Sequence, residues 1–143
     1  MMSAVPADLR AARASRVILV IGGLVMALAT IFGALGAHAL PGRLAPRQLE
    51  IYDTAVRFQF FQALGLLVLG AVARGGFSDS LQAAAVLLTA GIIAFCGSLY
   101  LLAFQITLGS QLVVGVATPL GGILLISGWL MFAVSSWRAR RAG

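Results

Sequence analysis

The chain has no lysine: its ten basic residues are all arginine, set against four carboxylates, one histidine and one cysteine. The single cysteine, Cys96, excludes a disulfide within the chain and a cysteine-clustered metal site. The single histidine, His38, leaves a membrane haem without the paired axial ligands such centres commonly use. Charge is scarce as well. Only 10% of residues are charged, where a soluble domain carries about 25%. From Ser80 through Trp137 there is no Asp, Glu, Lys or Arg at all. A soluble globule could not cover its surface with so few charges. Strand-like alternation is also missing, which excludes a membrane barrel.

What is present is apolar: 61% of residues are hydrophobic and the mean hydropathy is +1.04. A helix rises 1.5 Å per residue and the hydrocarbon core is about 30 Å thick, so one crossing needs roughly 20 apolar residues. Helices are the default in lipid because they close their own backbone hydrogen bonds. Four crossings can be drawn, at about 17–37, 58–73, 82–104 and 112–134. The expected fold is all-α: an integral membrane bundle of four transmembrane helices in one domain, 17–137, with basic tails at 1–16 and 138–143. The second crossing is short and should recruit the turns before it, with Arg57 reaching back to the interface. The turn between the last two falls at "QITLGSQ", Gln105 to Gln111, where Gly109 and Ser110 break the apolar run.

Between the first two crossings, Pro41-Gly42 marks a turn and Pro46 suits the first turn of a new helix. From Arg47 onward, Glu50, Asp53, Thr54 and Arg57 share one face, and Leu49, Tyr52 and Val56 another. This predicts a short amphipathic segment between helices one and two, continuous with or kinked into the second crossing. Asp53 and Arg57 stand at i, i+4 in the favourable order. Arginine placement sets an orientation. Arg10, Arg13, Arg16, Arg74, Arg138, Arg140 and Arg141 fall on one side of four crossings, and Arg43, Arg47 and Arg57 on the other. That bias predicts both termini in the cytoplasm. It accounts for the net charge of +6 without a nucleic-acid or acidic-lipid partner, since only three arginines stand in each terminal cluster.

"IFGALGAHAL", Ile31 to Leu40, ends the first apolar run on His38. Ala37-His38-Ala39 imitates a signal-peptidase site, but the run exceeds the 7–15 residues of a signal core, so a retained helix is expected. As a ligand, His38 lacks a reachable partner. As a rim residue, it is expected to hydrogen-bond near Gln62. The outer helix ends gather polar side chains: His38, Glu50, Asp53, Arg57, Gln59 and Gln62 from the first hairpin, and Tyr100, Gln105 and Thr118 from the second. Polar groups in a membrane tend to pair and face inward. The group reads either as a hydrogen-bonded clasp between hairpins or as an outward binding or permeation mouth. Nothing in the spacing of Ser98 and His38 supports nucleophilic catalysis. No catalytic, cofactor-binding or metal-binding residue is expected.

Small residues four apart let helix backbones approach closely. Helix one has Gly23-xxx-Ala27 and then Ala29-xxx-Gly33-xxx-Ala37; helix four has Ala117-xxx-Gly121 and Thr118-xxx-Gly122 around Pro119. Pro119 permits a kink there, a feature that marks substrate sites in larger transporters.

"GALGAHAL" (Gly33 to Leu40), "TAVRFQFFQALGLLVLG" (Thr54 to Gly70), "GSLYLLA" (Gly97 to Ala103) and "TPLGGILLISGW" (Thr118 to Trp129) occur in that order. Together they resemble the YgdD/YwdK-type family of small bacterial membrane proteins, which has relatives in animals. The resemblance implies a four-helix multi-pass protein with no established activity. One position departs: members often carry a second histidine where Gln62 stands here. Two functions of different class follow. One is a non-enzymatic accessory or scaffold acting through helix contacts, its partners the lipid bilayer and either further copies of itself or other membrane proteins. The other is a small oligomeric carrier or channel. Crossings one, three and four hold no carboxylate, which argues against proton-coupled export.

Overall fold

The computed structural model describes residues 7–76, 78–106 and 111–139. These form four helices: α1 (Ala7–His38), α2 (Pro46–Val72), α3 (Asp79–Ala103) and α4 (Gln111–Ala139), with a single 3-10 turn, Ala73–Gly75, closing α2. Each contains a stretch long and apolar enough to cross a bilayer. Gly109 and Ser110, expected to turn the chain between α3 and α4, lie outside the described residues.

The amphipathic segment is not a separate element. It forms the first turns of α2, which runs unbroken from Pro46. Proline at the first helical position costs no hydrogen bond, and the Gln48 side chain accepts the Ala45 N–H at 2.8 Å. No Gly or Pro follows until Gly65, so nothing interrupts the helix. At 27 residues, α2 is about 40 Å long, and the apparent shortness of the second crossing disappears. α3 starts on Ser78, whose hydroxyl accepts the Leu81 N–H at 3.2 Å and pairs with Ser135 of α4 at 3.0 Å. Two residues beyond the end of α3, Gln105 has φ 54°. Backbone bonds from Gln105 to Leu102 (3.1 Å) and from Ile106 to Leu101 (2.9 Å) satisfy the last carbonyls. This is a Schellman closure with glutamine in the left-handed position usually held by glycine.

Neighbours in sequence are neighbours in space: α1 packs on α2, α2 on α3, and α3 on α4. The inner pair, α2 and α3, supplies most of the core, including Leu66, Leu69, Leu81 and Leu88. Cys96 is buried within it.

The α3–α4 seam is built by reciprocal size matching. Leu88 lies over Gly128, Leu125 lies over Gly91, and the Phe95 backbone lies against Gly121. Ser98 and Thr118 then share a hydrogen bond of 2.7 Å. Positions 88, 91, 95 and 98 on α3, and 118, 121, 125 and 128 on α4, repeat at three-four-three spacing, as in a coiled coil. A Cβ on Gly121 would meet the Phe95 backbone nitrogen and, at 2.7 Å, its Cα. A Cβ on Gly122 would stay 3.9 Å from the Phe95 ring. Pro119 is exposed and α4 passes through it without a break, so it neither packs the seam nor divides the helix.

The strip on α1 is displaced from its expected line. Ala29 is fully buried, and a Cβ on Gly33 would meet Val56 and Phe60 at ordinary distances of 3.5 and 3.6 Å. Ala37 and Ala27 are exposed, and Gly23 faces open space. The tight approaches are Gly22 on Leu67, where a Cβ would come within 3.1 Å, and Gly36 on the Tyr52 ring, where it would come within 2.9 Å. The reason is geometric. A strict four-residue repeat precesses about 40° per step around a helix of 3.6 residues per turn, so its later members leave the interface.

Two substitutions at adjacent glycines test the seam. Gly121→Ala should cost about 1–3 kcal/mol, because backbone cannot yield as a side chain does. Gly122→Ala should be near neutral. Thermal unfolding of the purified variants in detergent reads both.

Candidate functional site

Four polar side chains are buried among the described residues, Ser15 of α1, Gln59 and Gln62 of α2 and Ser98 of α3, and each bonds to another helix. Gln59 is 5% exposed and Gln62 8%. The Gln59 amide Nε2 donates to the Val25 carbonyl of α1 at 3.1 Å. Its Oε1 accepts the Tyr100 hydroxyl of α3 at 2.7 Å. One side chain thus joins three helices. Gln62 Oε1 accepts the Trp129 indole N–H of α4 at 2.9 Å, and the indole covers Gly65 so closely that a Cβ there would sit 2.6 Å away. Above this level, Phe32, Tyr52 and Tyr100 meet edge to face, with ring centroids 5.0 and 5.3 Å apart. The Tyr52 hydroxyl donates to the Phe32 carbonyl at 2.8 Å. Toward the other end of the bundle, the buried Ser15 hydroxyl donates to the Gly70 carbonyl at 2.7 Å.

The expected polar group therefore divides. Gln59 and Tyr100 bond directly, and Thr118 bonds Ser98 on the opposite side of α3. Asp53 and Arg57 are exposed. They border a groove of about 390 Å³ between α1 and α2, together with Gly33, Gly36 and Ala37. The two form no ion pair with each other. Glu50 and Gln105 are exposed. His38 is exposed at the end of α1 and is not held by Gln62, whose oxygen is engaged by Trp129. The expected pairing fails on depth: Gln62 lies nine residues beyond Asp53, about 14 Å farther along α2 at 1.5 Å per residue. Ser98 is likewise apart from His38, its hydroxyl committed to Thr118 and the Phe95 carbonyl. The amide–indole bond of Gln62 and the Ser15 contact were not anticipated from the sequence. Trp129 carried a signal: an indole well inside a crossing, away from the interface, needs an acceptor.

A bundle of apolar helices joined by interior amide, phenol and indole bonds, with the few charges among the described residues on exposed positions and none from Ser80 to Trp137, is a multi-pass helical membrane protein. The chain belongs to the family described as "Protein of unknown function (DUF423)", which matches residues 32–122. Its relatives carry the name UPF0382 membrane protein. One from Staphylococcus epidermidis, SERP0230, is 38% identical over 121 residues, covering 85% of this chain and 95% of that one. SH2409 of Staphylococcus haemolyticus is 35% identical over 123 residues, covering 86% and 97%. YwdK of Bacillus subtilis is 36% identical over 123 residues, covering 85% and 96%. The family has no assigned activity and no enzymatic name. No solved structure matches the chain.

Interhelical hydrogen bonds in lipid are worth about 0.6–1.7 kcal/mol. Gln59→Leu and Tyr100→Phe should each destabilise the bundle by about 1 kcal/mol. The double variant should cost less than the sum, because both remove one bond. At His38, Leu and Gln replacements should agree within about 0.5 kcal/mol, as at any exposed position. Thermal unfolding in one detergent measures the whole set.

Proposed function

We propose that this protein is a non-enzymatic accessory or scaffold of the bacterial inner membrane, acting through helix–helix contacts, with both termini and the Arg74–Ser80 loop in the cytoplasm. One observation carries the reading: among the described residues, every buried polar side-chain atom is already answered by another group of the protein. The interior hydrogen bonds run from helix to helix and serve assembly. The outer helices instead present apolar faces, such as Val20, Leu24, Leu28 and Ile31 on α1 and Leu120, Ile123 and Leu130 on α4, all exposed. Lipid or another helix can cover them. The orientation rests on the arginine bias.

The groove bordered by Asp53 and Arg57 favours a second reading, a small oligomeric carrier or channel whose mouth opens outward. Flux separates the two. Liposomes holding purified protein should keep sodium, potassium and proton gradients as long as empty ones. Collapse that Arg57→Gln or Asp53→Asn abolishes would establish the carrier. Orientation has its own test. Asp79→Cys in a Cys96→Ala background should resist an impermeant thiol reagent added to intact cells and react once the membrane is opened.

A further inference from the structure

Both α1 and α3 pack on α2, and a groove of about 680 Å³ lies between them. Its walls change character along its length. At one end stand Arg10 and Arg13 of α1 and Gln82 of α3. Beyond them the groove is apolar, with Val17 and Ile21 on one wall and Val86 and Ile93 on the other. Thr89 does not interrupt this stretch, because its hydroxyl donates to the Ala85 carbonyl at 2.8 Å. Among the described residues, no carboxylate lines the groove and neither arginine has an ion-pair partner. The N-termini of α1 and α3 lie toward this same end, and their dipoles add positive potential there.

The dimensions fit one molecule of the surrounding membrane. From Arg10 to Ile21 the groove runs about 17 Å along α1, close to half of the roughly 30 Å hydrocarbon core. That is the depth of one leaflet. We propose that this groove is a binding site for a phospholipid with an anionic headgroup. The two guanidinium groups hold the phosphate through charge-assisted hydrogen bonds, Gln82 meets the polar glycerol region, and an acyl chain lies between α1 and α3. A zwitterionic lipid is disfavoured because it brings its own ammonium beside two arginines. The site belongs to whichever leaflet surrounds the N-terminal end of α1, and it stands independently of the accessory role.

The test uses the purified full chain in detergent. It is offered phosphatidylglycerol or phosphatidylcholine with identical acyl chains, and retained lipid is read by native mass spectrometry. Phosphatidylglycerol should be retained in preference. Arg10→Gln and Arg13→Gln should each weaken its retention about fivefold, while Arg43→Gln, in the loop before α2, should not. Val86→Trp should empty the groove of lipid without loss of thermal stability, since Val86 is exposed. Soluble glycerol phosphate should fail to compete. Equal retention of the two lipids would overturn the proposal, as would arginine variants that behave like Arg43→Gln. An ineffective Val86→Trp would reduce the effect to surface charge, and full competition by glycerol phosphate would replace the lipid with a soluble phosphate. Either result also overturns it.

Discussion

Hydrocarbon offers no hydrogen-bond partner, so each polar atom inside the bundle must find one in the protein. Gln59 meets that constraint in a way that organises its surroundings. Its amide has a donor end and an acceptor end, and the two ends bind different helices, Val25 of α1 and Tyr100 of α3. This sets the register of α1 against α2 and of α2 against α3 at one level. Gln62, one turn deeper, reaches α4 through its oxygen, which accepts the Trp129 indole N–H. Two adjacent amides on one face of α2 therefore tie the helix to all three others.

Size complementarity supplies what the amides do not. Along α3 and α4, large residues sit over glycines in alternation, first from one helix and then from the other. In lipid there is no hydrophobic gain from pairing apolar helices, so close contact must come from fit. The approach of Gly121 to the Phe95 backbone is the tightest point of that fit. α1 and α4, by contrast, keep broad apolar faces turned outward. The inner pair is specified by its contacts and the outer pair by its solvent.

The four crossings were legible because length and charge depletion are properties of the chain alone. Helix ends were legible where a residue with a local job stands at the boundary, as Pro46 does, whereas the Ser78 cap fell inside what reads as a loop and α3 begins three residues before the expected crossing. Polar pairing was only half legible. That Gln59 and Tyr100 needed partners followed from hydrophobicity; that they would choose each other depended on the register of α2 against α3. His38 was misplaced beside Gln62 because span limits drawn from hydropathy put the start of the second crossing near Phe58, whereas α2 begins at Pro46. That error carried Gln62 toward the helix end and hid its true depth. Ala37 was assigned to a packing strip from its spacing, and helix rotation carried it out to the surface. Gln105 gave no warning, since nothing in its side chain marks a left-handed residue.

The bond between Gln62 and Trp129 joins residues 67 positions apart. Ribosomes add roughly 5–20 residues per second, so about 3–13 s separate their synthesis. During that interval α2 enters the membrane with an amide oxygen that has no indole to receive. Gln59 faces no such delay on one side, since Val25 precedes it in the chain. Nascent α2 therefore carries a temporary polar defect, and the arrival of α4 removes it. Completion of the bundle is timed by the last helix, even though most of the core is already present in the first three.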